Sequence, residues 1–257
     1  MGDLGVPCHV IDFPIELSHL ELDSECPAAS VVDDEVLFSK LDAIISEIGP
    51  VFPKVCWSSP RDATFMLCDS KLKCETGREV VAVLKASDNI TLDLKRCRKI
   101  GHQPHLILKP YLDMIDKMTE FRVFVANGRI FGISQRHPSA FYPQLSHYRL
   151  MKSLKRVIKE TVIEAIKRCS WLRTDRYAID LFLPIQSNRS RPLVLDFAPW
   201  HESTDSLLFS YDELHEAVER NKPFNQVRIV REDGERVATD LSSHFPLEFG
   251  HMFMNGN

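Results

Sequence analysis

Tyr177-Ala-Ile-Asp-Leu-Phe-Leu-Pro184 and Leu193-Val-Leu-Asp-Phe-Ala-Pro-Trp200 are two apolar runs, each with an aspartate at its centre. The polar stretch Gln186-Ser-Asn-Arg-Ser-Arg191 between them has the composition of a turn. An antiparallel hairpin centred on Asn188 sets Asp180 opposite Asp196. Directly opposed side chains have Cβ atoms about 5 Å apart. Two carboxylates at that distance repel by roughly 3 kcal/mol at an effective dielectric of about 20. A proton on one of them, or a cation between them, relieves the repulsion. An all-oxygen pair suits a hard cation such as Mg²⁺, with nucleotide phosphates completing its shell. The structural alternative is an aspartate that caps a turn or pairs with an arginine.

The surrounding chain has the bulk properties of a globular protein. Its 257 residues suffice for one large domain or two small lobes, and 44% hydrophobic with 26% charged residues argues against wholesale disorder. A formal net charge of −4 gives no global signal for nucleic acid or an anionic membrane, so RNA binding would need a local basic patch. The 7 cysteines are odd in number, irregularly spaced and without a Cys-x-x-Cys, which points to reduced thiols in a cytoplasmic setting. His102 and His105 lie near Cys97 but lack a spaced fourth zinc ligand and read as loop histidines. No run approaches 18 apolar residues, and the N-terminus lacks the basic-then-apolar order of a signal peptide.

Periodicity outlines the elements. Asp33 or Asp34 caps a helix with the stripe Leu37, Leu41, Ile44, Ile45 and Ile48, and Gly49-Pro50 stops it. Val51–Val55 is a strand that leads into the polar loop Ser58-Ser-Pro-Arg-Asp62. Val80 to Lys85 and Leu106 to Lys109 read as short strands. Phe121 to Ala126 and Arg129 to Ser134, joined by Asn127-Gly128, form a hairpin whose turn needs two positive φ angles. A long helix covers roughly Ser146 to Trp171, with a basic outer face. Ser210-Tyr-Asp-Glu213 has capping-box spacing and opens a helix to about Asn221. Residues 1–32 show no sustained period and read as a flexible N-terminal segment. Strands that arrive in hairpins with helices between them indicate an α+β fold.

Several side chains fit a nucleotide–Mg²⁺ site. Lys54 precedes the Ser58-Ser59 loop, where an ammonium and backbone N–H groups could hold phosphate. Lys85 and Lys109 end apolar runs, and Leu106 to Leu108 offers an apolar slot for a purine. Arg122 sits among apolar neighbours and Arg136 ends the returning strand, positions that call for anionic partners. A two-residue turn sends these arginines to opposite faces unless a bulge intervenes. No P-loop, dinucleotide fingerprint or Gly-x-Ser-x-Gly elbow is present.

These pieces resemble the eukaryotic cell division cycle protein 123 family, whose fold is ATP-grasp. The matching blocks are Phe52-Pro-Lys-Val-Cys-Trp-Ser-Ser-Pro-Arg-Asp-Ala63, Leu72-Lys-Cys-Glu-Thr76, Leu84-Lys-Ala-Ser-Asp88, Glu120-Phe-Arg-Val-Phe-Val125, Gly132-Ile-Ser-Gln-Arg136, Asp180 with its strand, Asp196-Phe-Ala-Pro-Trp200 and Thr204-Asp-Ser-Leu-Leu-Phe209. They follow the family's order from about residue 33 to 215. The resemblance implies an ATP-grasp-like domain over 33–257, with α+β lobes of roughly 33–110 and 111–257 that clamp ATP and Mg²⁺. In that pattern Lys54, Ser58 and Ser59 contact phosphates, and Leu106, Leu108 and Lys109 belong to the adenine hinge. Arg122 and Arg136 serve the triphosphate, while Asp180 and Asp196 bind the metal. Four positions depart from the pattern: Ala198 stands for a metal-ligand asparagine, Cys56 for an asparagine, His137 for an aspartate, and Lys109-Pro-Tyr111 for Arg-Lys-Trp.

The resemblance implies a cytoplasmic, ATP-binding assembly chaperone for translation initiation factor 2 that acts through the gamma subunit. It is expected to be monomeric, with no direct nucleic-acid or membrane contact. Two other readings stand beside it. One is an ATP-grasp ligase that joins a carboxylate to an amine through an acyl phosphate. The other is a degenerate binding module that has lost metal and nucleotide, which Ala198 motivates.

Overall fold

The computed structural model describes residues 5–14, 17, 34–69, 71–113, 115–168, 172, 176–184, 191–224 and 227–231. These fall into two compact units, 7–112 and 113–231, with residues 5 and 6 belonging to the second.

In the first unit β1 (His9–Asp12) and β2 (Val51–Val55) pair antiparallel with β3 (His105–Pro110), in the order β1-β3-β2. Period-two alternation gives this sheet an inner and an outer side. Leu106 and Leu108 of β3, with Val51 and Val55 of β2, enter the core formed with helices α1 (Asp34–Ile48), α2 (Gly77–Lys85) and α3 (Asp88–Ile100). The expected stripe of α1 supplies Leu37, Leu41 and Ile45 to that core, and α3 supplies Ile90 and Leu94.

Three sequence expectations change here. Val80 to Lys85 is helix, although its β-branched run suggests a strand. The Thr76 hydroxyl accepts from the Glu79 N–H and the Glu79 carboxylate accepts from the Thr76 N–H, a reciprocal cap that starts α2. Helix α3 has no counterpart among the expected elements, yet its ends are marked by Ser87 as N-cap and Gly101 in the left-handed region at φ 65°. Residues 9–12 belong to the sheet, and Leu17 is fully buried in the core, so this part of the N-terminal segment is integral to the first unit.

The second unit is a five-stranded sheet, β7-β6-β4-β5-β8, made of β4 (Glu120–Ala126), β5 (Arg129–Gln135), β6 (Arg176–Phe182), β7 (Leu193–Pro199) and the parallel edge β8 (Val227–Arg228). The β4–β5 turn is the expected one, with Asn127 and Gly128 at φ 50° and 70°. Helix α4 (Tyr148–Arg168) covers one face. Its Leu154, Ile158, Val162 and Ala165 pack on Phe121, Val123, Tyr177, Ile179 and Leu181. On the other face α5 (Tyr211–Glu219) lays Leu214 over Phe124, Ala178 and Phe209. The expected capping box at its start is present, Ser210 and Glu213 bonding reciprocally. One face of the sheet is therefore covered by α4, and α5 covers part of the other.

Two contacts carry measurable predictions. A Cβ on Gly77 would lie 2.7 Å from the Phe38 carbonyl oxygen and 2.9 Å from Leu41 Cβ, so α2 meets α1 through that glycine. Gly77→Ala should destabilise the fold by about 1–3 kcal/mol in urea titration, as overpacking does. The second contact fixes α5. Arg228 of β8 bonds both oxygens of Glu213 at 2.9 and 2.8 Å and lies 4.0 Å over the Phe209 ring. Arg228 hydrogen bonding, opposed by burial, holds the Glu213 carboxyl at about 2, below its ordinary 4.5. A lowered carboxyl stabilises the fold fully above its ordinary value and loses that contribution as pH falls through about 2. The stability difference between the natural chain and Glu213→Gln should therefore shrink steadily from pH 6 to pH 2.

Candidate functional site

Away from α5 the same face of the second unit's sheet is ionic, and two β-bulges make it so. Along β4 and β5, Phe124 pairs with Gly132 but Val125 pairs with Ile130, leaving Phe131 without an opposite residue. The extra residue advances the register by one. Arg136 then lies beside Glu120, donating its backbone N–H to the Glu120 carbonyl at 3.0 Å, and so falls on the same face as Arg122. The second bulge does the same for the aspartates. Leu181 pairs with Val194 and Asp180 with Asp196, so Leu195 is the extra residue. Without it Asp180 would face Leu195. The expected opposition of Asp180 and Asp196 is real, and it comes from a bulge in β7; the stretch around Asn188 lies outside the described residues.

The repulsion between the two acids is relieved by arginine. Arg122 grips Asp180 with Nε on Oδ1 at 2.7 Å and Nη2 on Oδ2 at 2.8 Å, and Arg136 Nε reaches Oδ2 at 3.3 Å. Arg122 and Asp180 are buried, with side chains 6% and 10% exposed. The third arm of Arg122, Nη1, donates to the Asp205 carbonyl at 2.7 Å. Burial opposes the guanidinium's charge, but attraction and hydrogen bonding from Asp180 outweigh it and raise its pKa above the ordinary value. Asp196 is half-buried, and its Oδ1 accepts its neighbour's backbone N–H, from Phe197, at 3.0 Å. Ala198, two residues along the same strand face, packs against Phe124, Ala178 and Leu214 and offers no oxygen.

Neighbouring groups outside the expected set of site residues complete this face. The His137 ring lies 3.1 Å from Glu120 Oε1. The 204–209 loop is pinned by the Tyr211 hydroxyl on the Thr204 carbonyl and by the Leu207 N–H on Asp205 Oδ1, which aims the Asp205 carbonyl at Arg122. Asp205 stood in a family block, but its use of a backbone oxygen has no sequence signature.

In the first unit the structure sorts the expected residues by side. β2–β3 register pairs Phe52 with Lys109 and Lys54 with Ile107, so Lys54, Lys109, Phe52 and Ile107 share the outer sheet face, and Lys54 is buried there. Leu106 and Leu108 point the other way, fully buried in the core, and β3 is laddered on both sides. Their side chains therefore belong to the core of the first unit. The Ser58-Ser59 loop begins with a tight turn, Cys56 at φ 44° and the Ser58 and Val55 backbones bonded both ways. Asp93 fastens it from within. This fully buried carboxylate accepts the Ser58 hydroxyl and the N–H groups of Ser58 and Trp57, while burial raises its pKa. Among the described residues its Oδ2 has no hydrogen-bond partner. Lys85 ends helix α2 rather than a strand.

A family model described as D123 matches residues 22–252. The chain belongs to the D123 family. Among the curated relatives of this D123 chain is the translation initiation factor eIF2 assembly protein of Xenopus tropicalis, 32% identical over 183 residues, which cover 67% of this chain and 52% of that protein. The protein of the same name from Kluyveromyces lactis is 31% identical over 214 residues, or 76% of this chain and 54% of that one. Cell division cycle protein 123 of Candida glabrata is 31% identical over 189 residues, 69% of this chain and 50% of that one. The chain thus spans about half the length of the curated relatives it matches. The solved structure of Cdc123 from Schizosaccharomyces pombe superposes with a TM-score of 0.73 at 24% identity, covering 89% of this chain and 91% of that one, so the two share a fold. The α+β class expected from the sequence is the class found, and the fold is that of Cdc123.

The buried ion pair of this D123 chain has a sharp mutational signature. Asp180→Ala strands two arginines, one of them buried, and should cost about 3–5 kcal/mol in urea unfolding. Asp196→Ala, at a half-buried site, should cost less than about 1.5 kcal/mol in the same titration.

Proposed function

We propose that the chain binds ATP together with Mg²⁺ and takes part in assembling translation initiation factor 2, contacting its gamma subunit. The observation that carries the nucleotide half is the juxtaposition of Asp180, Asp196, Arg122 and Arg136 on one sheet face, brought about by two bulges. The assembly half draws on relatives named as eIF2 assembly proteins.

The donor set fits a metal–nucleotide complex better than a free ion. Mg²⁺ typically takes one or two carboxylates and keeps its other positions for water and phosphate oxygens. Among the described residues no group of three or more His, Cys, Asp and Glu side chains could hold a metal by itself, and Ala198 adds no ligand. Asp180 and Asp196 would hold the ion, which would neutralise phosphate charge. Arg136 is the readier phosphate ligand, because its contact with Asp180 is the longer, single one, whereas Arg122 grips with two short bonds. Arg122 then keeps Asp180 ionised and oriented. The same reading assigns Lys54, Ser58, Ser59 and Lys109 to the nucleotide, with Lys54 and Lys109 placed on one face of the smaller sheet.

A second reading, the binding module without metal or nucleotide, has one observation in its favour: the arginines already neutralise Asp180. Calorimetry separates the two. ATP with Mg²⁺ should bind the natural chain and bind Asp196→Asn at least about tenfold more weakly, a loss of about 1.4 kcal/mol, while the urea midpoint stays unchanged. Absence of binding to the natural chain would favour the degenerate module. Capture of the purified gamma subunit tests the assembly half separately.

A further inference from the structure

Helix α4 lies on the sheet face opposite the ionic cluster, and its apolar side is engaged by the core. The side turned away carries Arg149, Lys152, Arg156, Lys159, Ile163 and Lys167, all exposed and spaced by three or four residues. Such spacing forms one straight row, about 27 Å long at about 1.5 Å per residue. Residues 148–159 contain five cations and no acid. A solvated helix face ordinarily mixes the two signs in i,i+4 pairs. Here the ion pair on the helix among the described residues, Arg168 to Glu164 at 2.9 Å, lies off the row.

The placement of these charges works against the helix itself. The first turn of an α-helix favours acids, because its unpaired N–H groups carry partial positive charge. The first turn of α4 holds no acid, and the cations crowd its first three turns. Lys155 shows the strain: burial and then neighbouring Lys159 lower its pKa. Local rules broken in this way point to a binding role. Lys152, Lys155, Arg156, Lys159, Glu160 and Ile163 form one continuous, shallow and largely open patch on the helix surface.

We infer that the exposed face of α4 from Arg149 to Ile163 docks an acidic segment of a partner protein, with carboxylates along the cation row and one apolar side chain against Ile163. The patch combines cations with an exposed isoleucine and one acid, a charge pattern complementary to an acidic peptide. Single-stranded nucleic acid is held on aromatic platforms, and the aromatic residue of this helix, Tyr148, stands at its very start. Membrane-surface helices insert their apolar face, and that of α4 is buried in the core. This surface is independent of the nucleotide reading.

Fluorescence anisotropy on the full chain tests it, at about 100 mM salt, where the Debye length is about 10 Å. The probes are a labelled amphipathic peptide with glutamates at i,i+4 spacing and one leucine per two turns, its leucine-to-serine version, a short polyuridine RNA, and phosphatidylcholine vesicles with about one-third phosphatidylserine. The acidic peptide should bind best. The triple reversal Lys152→Glu, Arg156→Glu, Lys159→Glu should weaken it by about tenfold or more, and Ile163→Ser by about threefold. Lys222→Glu, a charge reversal elsewhere on the second unit, should change nothing. The triple variant leaves the buried side of α4 untouched, so its circular dichroism should match that of the natural chain. Equal peptide binding by the triple variant, or tighter binding of RNA or vesicles with no effect of Ile163→Ser, would overturn the proposal.

Discussion

The buried pairing of Arg122 with Asp180 sets the terms for the second unit. The two residues stand opposite each other on the central strands β4 and β6, so their bidentate contact lies across the middle of the sheet. Taking both charges out of water is costly, and the arrangement holds only because every arm of the guanidinium finds an oxygen. That requirement fixes the loop after β7, whose Asp205 carbonyl must sit where Nη1 points. It also fixes β5, whose bulge delivers a second arginine to the same carboxylate. Apolar packing under α4 would tolerate other registers; the charges tolerate one.

That view explains what the sequence could and could not say. Asp180 and Asp196 stood out because acids inside apolar runs are unusual, and their opposition could be inferred from symmetry about Asn188. The means of achieving it could not, since an unpaired Leu195 or Phe131 looks like any other apolar strand residue. The same limit applied to Arg122 and Arg136. Period two placed them on opposite faces, and only a shift of one residue, invisible in composition, joined them. Arginine as the counter-ion was the structural alternative for the aspartates, and Asp180 has two such partners.

Misread elements follow a similar logic. Val80-Val-Ala-Val-Leu84 has strand-like composition, but Thr76 and Glu79 offer a cap whose two bonds begin a helix, and α1 supplies the apolar surface to bury it. Side-chain chemistry at a helix end outweighed propensity along it. Leu106 and Leu108 lie on a central strand, where alternate residues face the core, so their apolarity signals burial. The residues that remain for a ligand on β3 and β2 are their neighbours in the pleat, Ile107, Lys109 and Lys54.

The position of β1 has a bearing on how the first unit comes together. Its four residues pair with a strand some ninety positions further along the chain, whereas β2 and β3 are embraced by the helices that connect them. Closing so long a loop carries an entropic cost of about (3/2)RT ln n, repaid by only a short ladder. Among the described strands β1 is tied to the sheet through β3 alone. Were it to leave, a central strand would become an edge, with a row of bare N–H and C=O groups open to pairing by another extended chain.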